Sequence, residues 1–234
     1  LQDPEVADCH SLQRIICSGE ALPVDAQQQV FAKLPHAALY NLYGPTELTI
    51  ACTLYRWDGE RSVAECERGI VPIGEPYPGM KVLIATPELR EVEPGEAGEL
   101  LMTGPQLTPG YWNDPARTAR AFVQPPGYLE TYYRTGDLVR RPRSTKDPIV
   151  YLGRIDNQIK IQGYRVELGE VEAALRREAR VDAAVAIGWP QTASGADSIV
   201  GFVAGSSVDE SAIVAALRSS LPSYMQVSRV IRVD

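Results

Sequence analysis

Histidine and cysteine are scarce in this sequence of 234 residues, which has two histidines and four cysteines. The histidines, His10 and His36, stand far apart, and no Cys-x-x-Cys pair is present. This spacing disfavours a structural zinc site, and scattered cysteines in a chain of this size do not form a disulfide framework. We therefore expect reduced thiols, as in a cytoplasmic protein, at Cys9, Cys17, Cys52 and Cys66.

Long apolar runs and an N-terminal methionine are also missing. No run approaches the roughly 18 residues that a membrane span needs, and the acidic start Leu1-Gln2-Asp3 is unlike a signal peptide. We expect no membrane partner and a chain that begins inside a longer one. Lys and Arg number 23 against 30 Asp and Glu, a net charge of −7, which disfavours a broad nucleic-acid-binding surface.

The first part of the sequence alternates strand-like and helix-like segments. Apolar runs at 14–17 and 38–42 flank a helical segment, 24–34, that follows Pro23. Residues 49–57 are rich in Thr, Ile, Tyr and Trp, as in a strand. This order predicts part of a parallel α/β sheet.

The middle part is rich in turn signals and predicts a small β-barrel or meander. Short strand candidates at 81–85, 99–103 and 149–152 lie between Gly and Pro residues. One helix interrupts them, with Asp114 as the N-cap and Pro115 as the first helical residue.

The last part predicts a compact α+β unit that begins near Asp156. Leu168, Val171, Ala174 and Leu175 follow helical spacing, and 158–161, 183–187, 199–203 and 227–233 resemble strands. Ser207, followed by Glu210, predicts a capping box for a second helix.

Three segments have a composition suited to chemistry. Residues 41–47, Asn-Leu-Tyr-Gly-Pro-Thr-Glu, place an aromatic ring, a hydroxyl and a carboxylate in one loop, which suits a purine, a phosphate and Mg²⁺. Residues 133–138, Tyr-Arg-Thr-Gly-Asp-Leu, place a carboxylate after a Gly turn, as in sites that bind ribose. Residues 153–172 combine charges with three glycines, which indicates a specified backbone geometry. Each segment alone is also compatible with a plain turn or a solvated surface.

In this order, the three segments resemble the adenylation domains of nonribosomal peptide synthetases, members of the adenylate-forming superfamily with acyl-CoA synthetases and luciferase. Residues 98–104 with 110–112, and Leu-Pro-Ser-Tyr-Met at 221–225, extend the resemblance over nearly the whole chain. The resemblance implies the C-terminal part of a large subdomain at 1–155, with a parallel sheet portion and a small β-barrel. A partial small α+β subdomain would follow at 156–234.

The resemblance implies an ATP- and Mg²⁺-dependent ligase. It would activate a carboxylic acid as an acyl-adenylate and transfer it to the phosphopantetheine thiol of a peptidyl carrier protein, in peptide antibiotic synthesis. The small subdomain would rotate about a hinge between the two steps. The family's N-terminal phosphate loop and late catalytic lysine have no counterpart in this sequence, so the 234 residues alone are expected to be inactive.

Residue roles follow from the same resemblance. Adenine would contact Tyr43, Asn41 and the loop with Gly19 and Glu20. The remaining cofactor and catalytic positions are Gly44 in the adenine loop, Thr46 toward phosphate, Glu47 on Mg²⁺, Asp137 on ribose, Tyr151 and Arg154 toward ribose and phosphate, Asp156 as the hinge and Lys160 in thioester formation.

Part of the acyl pocket is also implied. Its lining residues have no charge and predict a small, uncharged amino acid; they are Ile16, Ser18, Leu42, Ile50 and Ala51. Ala21 lies where MbtH-like helper proteins contact the family. Two alternatives stay open: an acyl- or aryl-CoA synthetase of the same superfamily, and a non-catalytic fragment that serves as an interaction module.

Overall fold

The computed structural model describes residues 3–156, 158–161, 163–192, 195–205 and 209–233. The chain divides into two compact units, Leu1–Ile155 and Asp156–Asp234. Each unit has its own hydrophobic core and is described by itself.

The first unit opens with an α/β arrangement. Its elements are a 3-10 helix Pro4–Asp8, β1 Arg14–Ser18, α1 Val24–Lys33, β2 Ala38–Tyr43, a 3-10 turn Thr46–Leu48, β3 Thr53–Arg56, α2 Gly59–Glu65 and β4 Glu75–Pro76. The sheet order is β1-β2-β3-β4; β1 and β2 are parallel, and the other pairs are antiparallel. Asp25 in the first turn of α1 and Lys33 in the last complement the helix dipole.

An antiparallel sheet completes the first unit. Its elements are β5 Lys81–Ala85, β6 Ala97–Thr103, α3 Pro115–Ala121, β7 Phe122–Val123, β8 Tyr132–Arg140 and β9 Val150–Arg154. Strand β8 pairs with β6 on one side and with β7 and then β9 on the other. Because side chains alternate along a strand, Leu100 and Met102 pack in one core and Leu101 in another.

The second unit is α+β. Its elements are β10 Gln158–Ile161, β11 Tyr164–Glu167, α4 Leu168–Ala179, β12 Ala184–Gly188, β13 Gln191–Thr192, β14 Gly195–Ala196, β15 Ile199–Ala204, α5 Glu210–Ser220, a 3-10 turn Ser223–Met225 and β16 Val227–Val233. They form one sheet in the order β11-β10-β14-β13 and another in the order β12-β15-β16. The helical spacing seen in the sequence is confirmed, since Leu168, Val171, Ala174 and Leu175 are buried.

Three expectations about local structure were wrong or incomplete. The strand predicted at 49–57 covers only Thr53–Arg56, because Thr49 and Ile50 have φ angles of 56° and 74°. Residues 133–138 form no separate turn but lie within β8. The N-cap of α5 is Asp209, which accepts from the N–H groups of Ser211 and Ala212, while the predicted cap Ser207 lies outside the described residues.

Candidate functional site

Polar loops follow two neighbouring parallel strands of the first unit. Strand β1 ends at Ser18, and Gly19 and Glu20 follow it; β2 ends at Tyr43 and leads into the turn at 46–48. Gly19 is exposed with a φ of 94°, and Glu20 is half-buried. Since ligands of α/β sheets bind beyond the carboxyl ends of parallel strands, this edge is the natural position for a site.

The loop after β2 is tightly folded. A Cβ atom on Gly44 would lie 2.6 Å from the carbonyl oxygen of Ile50, so only glycine fits there. Thr49 and Ile50 are β-branched residues in the left-handed region, which is strained for such side chains. The Gln106 side chain donates to the carbonyl oxygen of Ala51 at 2.9 Å and helps to hold this backbone. In this loop conformation Thr46 is exposed and Glu47 is buried.

Two of the residues predicted from the sequence, Tyr43 and Arg154, bind the carboxylate of a third, Asp137. The Tyr43 hydroxyl donates to Oδ2 of Asp137 at 2.5 Å, and Nη1 of Arg154 donates to Oδ1 at 2.8 Å. Asp137 is 6% exposed and is the register partner of Arg154 between β8 and β9. Both carboxylate oxygens of Asp137 are thus oriented by donors, one from β2 and one from β9.

Burial and the charge of Asp137 raise the pKa values of two side chains beside this carboxylate, Tyr43 and Cys52. Burial first, and then the charge of Asp137, raises the pKa of Tyr43 well above its ordinary value. The phenol therefore stays protonated and remains a hydrogen-bond donor at all physiological pH values. The same two causes raise the pKa of the Cys52 thiol to about 12.

Glu47 has a partner that the sequence did not assign. The Tyr111 hydroxyl donates to Oε1 of Glu47 at 2.5 Å, across 64 residues of chain. The guanidinium of Arg117 lies 4.5 Å from the centre of the Tyr111 ring, and the Phe122 ring packs edge-on against it. Tyr111 lies within residues 110–112, which carry part of the family resemblance, and no local pattern predicts its contact with Glu47.

Three of the five predicted pocket residues share one face of the first sheet, while Ile50 and Ala51 lie in the loop before β3. Ile16 and Ser18 point to the same side of β1, and Leu42 is the register partner of Ser18 on β2. Ile16 is 63% exposed and Ile50 is 77% exposed. Ala51, the fifth member, is half-buried.

Asn41 lies on the opposite face of β2 from Leu42 and is 3% exposed. Its Nδ2 donates to the carbonyl oxygen of Pro72 at 2.9 Å. Within the described part of the chain, Oδ1 of Asn41 is buried and accepts no hydrogen bond. A buried acceptor without a donor costs about 1–3 kcal/mol.

The remaining predicted residues lie elsewhere. Tyr151 is in β9, pairs with Val139 and packs partly buried against the core beside it. Lys160, in β10, pairs with Arg165, and Asp156 accepts from the N–H of Gln158; both belong to the second unit. Ala21 is half-buried in the loop between β1 and α1.

The chain is similar to a known protein family, to other proteins and to solved structures. The family described as AMP-binding enzyme matches residues 1–112. One plipastatin synthase protein of Bacillus subtilis is 37% identical over 231 residues, which are 98% of this chain and 9% of that protein. The Vibrio cholerae adenylation domain AlmE, solved with glycyl-adenosine-5′-phosphate, has a TM-score of 0.84 at 30% identity, over 99% of this chain and 43% of AlmE.

Residues 1–112 of this chain therefore match the AMP-binding enzyme family, and nearly the whole chain is similar to part of an adenylation domain. The predicted resemblance to adenylation domains and the predicted fold class of α/β followed by α+β are confirmed. PA1221, an NRPS protein containing adenylation and PCP domains, also matches it, with a TM-score of 0.78 at 28% identity over 99% of this chain and 45% of PA1221. The segment thus spans less than half of each of these relatives.

Two features, a cluster of metal-binding side chains and a membrane-spanning helix, are absent from the residues that the structure describes. These residues contain no group of three or more His, Cys, Asp or Glu side chains that could hold a metal ion. Among the same residues, no helix is both long and apolar enough to cross a membrane. All four cysteines are free thiols.

Proposed function

We propose that this segment forms the nucleotide-binding part of an enzyme that activates a small uncharged amino acid with ATP. The acyl-adenylate would then be attacked by the phosphopantetheine thiol of a carrier protein. One observation carries the proposal: Tyr43 and Arg154 both donate to the buried carboxylate of Asp137, beside the carboxyl ends of β1 and β2.

ATP is the substrate that fits this arrangement. The Tyr43 ring, held through its hydroxyl, stacks on adenine, and Asn41, two residues earlier on β2, reads the adenine edge. Gly19 and Glu20 line the other side of the base. Asp137 accepts from the ribose hydroxyls.

Phosphate and Mg²⁺ are assigned to the loop after β2. Mg²⁺ is commonly held by one or two carboxylates together with substrate phosphates and water, and Glu47 provides one such carboxylate. When bound, the ion neutralises charge on phosphate oxygens. The exposed hydroxyl of Thr46 donates to a phosphate oxygen, and Arg154, with Tyr151, lies toward ribose and phosphate.

Thioester formation is assigned to the second unit. Asp156, the first residue of that unit, is the hinge, and Lys160 takes part in the thioester-forming arrangement. A rotation about such a hinge lets one nucleotide site serve two reactions. The carrier-protein acceptor is supported by PA1221, which contains adenylation and PCP domains.

The acyl substrate is proposed to be small and uncharged. On the sheet face formed by Ile16, Ser18 and Leu42, none of these three side chains is charged, and Ser18 provides one hydroxyl. The glycyl-adenylate in AlmE supports a substrate of this size.

The test is amino-acid-dependent ATP–pyrophosphate exchange by the full-length enzyme, followed by acceptor loading. We expect exchange with Gly, Ala or Ser, and transfer to a phosphopantetheinylated carrier protein in preference to free coenzyme A. Exchange driven best by aromatic or charged acids would contradict the substrate, and preferential acylation of coenzyme A would contradict the acceptor.

Two further proposals concern the segment itself. The 234 residues alone are proposed to be inactive, and robust exchange by them would contradict this. Ala21 is proposed to contact an MbtH-like helper protein. We expect co-expression with such a helper to increase the yield of active full-length enzyme, and unchanged yield and activity would contradict the contact.

A further inference from the structure

Asp137 lies in an irregular stretch of β8. Glu99 of β6 pairs with Leu138, but Leu101 pairs with Arg134. Leu100 therefore faces the three residues 135–137, so β8 has two extra residues at this point. A bulge of this kind changes the direction of a side chain at the edge of a site.

On the β6 side, side chains bind the N–H groups of this bulge, while on the β9 side the Gly136 carbonyl oxygen accepts from the N–H of Ile155 at 3.0 Å. The N–H of Gly136 donates to Oε1 of Glu99 at 3.2 Å, and the N–H of Asp137 donates to Oγ1 of Thr135 at 3.0 Å. The Thr135 hydroxyl in turn donates to the carbonyl oxygen of Leu100 at 2.8 Å. Gly136 has a φ of 71°, which few other residues adopt.

Glu99 is itself firmly held. Its side chain is 5% exposed, and its Oε2 accepts from Nε of Arg134 at 3.0 Å and from Nη2 at 2.6 Å. A buried carboxylate persists only when it is paired and hydrogen-bonded. One carboxylate thus connects Arg134, before the bulge, with Gly136 inside it.

We propose that Glu99 is a positioning residue for the ribose-binding carboxylate, because it fixes the bulge that directs Asp137. This inference rests on the proposed function, in which Asp137 accepts from the ribose hydroxyls. Glu99 acts through the backbone of Gly136 and contacts no substrate. Thr135 fixes the other N–H of the bulge and has the same role.

The experiment measures how the full-length enzyme discriminates between ATP and its 2′-deoxy and 3′-deoxy analogues in pyrophosphate exchange. The readout is the ratio of kcat/KM for ATP to kcat/KM for each analogue. A purely structural defect lowers the active fraction for all nucleotides and leaves this ratio unchanged. Misdirection of Asp137 lowers the ratio, because ATP then loses the contact between its ribose hydroxyl and Asp137. The deoxy analogue lacks that hydroxyl and has no such contact to lose.

We expect Glu99→Gln to lower the ratio by about fivefold or more, since a hydrogen bond to a charged group is worth roughly tenfold or more in binding. Thr135→Val is expected to lower it as well, while Thr135→Ser, which keeps the hydroxyl, retains it. The threonine variants test the proposal even if Glu99→Gln does not fold.

Two control variants distinguish failure of the proposed ribose contact from failure of the positioning role of Glu99. Glu67→Gln removes another bidentate pair to the same strand, with Arg140, and should leave the ratio unchanged. Asp137→Asn should reduce the ratio strongly. If Asp137→Asn has no effect, the proposed ribose contact is wrong. If Asp137→Asn lowers the ratio but Glu99→Gln and Thr135→Val stay within about twofold of the parent, the positioning role is overturned and the proposed function stands.

Discussion

The hydroxyl of Tyr43 donates a 2.5 Å hydrogen bond to Oδ2 of Asp137, 94 residues further along the chain. This contact joins the end of β2 to the bulge of β8. It ties the residue proposed to stack on adenine to the residue proposed to bind ribose. Binding of base and sugar should therefore depend on each other.

Removal of this hydroxyl gives the first prediction. Tyr43→Phe keeps the ring but removes a donor to a carboxylate, a contact worth about 1.5–3 kcal/mol. We expect the KM for ATP of the full-length enzyme to rise roughly tenfold with a smaller change in kcat. Tyr40→Phe, on the same strand and the opposite face, is the matched control. Equal KM values for the two variants would show that the hydroxyl does not position the nucleotide.

Glu47 and Tyr111 give the second prediction. Tyr111→Phe removes the hydrogen bond that orients the proposed Mg²⁺ ligand. We expect the Mg²⁺ concentration that gives half-maximal exchange to rise about threefold or more. The Mg²⁺ concentration that gives half of the ATP-dependent increase in Tm should rise by the same factor. Tyr128→Phe, whose ring packs against Tyr132, serves as the control. An unchanged Mg²⁺ dependence in both measurements would contradict this role for Tyr111.

The thiols give a prediction about pH. Burial raises the pKa of Cys66 to about 11, and burial with the charge of Asp137 raises that of Cys52 to about 12. Only the thiolate is alkylated, and a raised pKa keeps these thiols protonated until the pH approaches those values. At pH 8.5, iodoacetamide should modify the exposed Cys9 first and Cys52 last, as peptide mass mapping would record. Rapid modification of Cys52 in the native chain would contradict its burial.

The core of the second unit gives a prediction about stability. Leu175 of α4 is fully buried and closely packed. A Cβ atom on Gly201 would lie only 2.8 Å from Cδ1 of Leu175. Leu175→Ala should lower the free energy of unfolding by about 2–5 kcal/mol. Leu129→Ala makes the same change at a residue that is 93% exposed and should have an effect within about 0.5 kcal/mol. Chemical denaturation would measure both, and similar values would refute the assignment of the core.

Local chemistry explains which parts of the fold could be predicted from the sequence. Helix α3 was predicted because its cap is local: Asp114 accepts from the N–H of Arg117, with Pro115 in the first turn. Helix α2 was missed because it has no apolar face. Only Ser62 is buried in it, while Val63 is 53% exposed.

The residues of the candidate site also separate into those that could be predicted from the sequence and those that could not. The motif residues Tyr43, Asp137 and Arg154 were identified by resemblance, and the structure places them in contact. The residues that support them could not be predicted, because Glu99 and Tyr111 bind residues that are 37 and 64 positions away in the sequence. A bulge depends on strand register, which no short segment of the sequence specifies.

The most direct test of the central claim is amino-acid-dependent ATP–pyrophosphate exchange at subsaturating ATP, with Asp137→Asn compared with Asp147→Asn in the full-length enzyme. Asp147 is an exposed loop residue that accepts from the N–H of Ser144, so it controls for the loss of one charge. The account predicts exchange with a small amino acid that Asp147→Asn retains and Asp137→Asn reduces about tenfold or more. An Asp137→Asn enzyme as active as the parent, or a parent without amino-acid-dependent exchange, would contradict it.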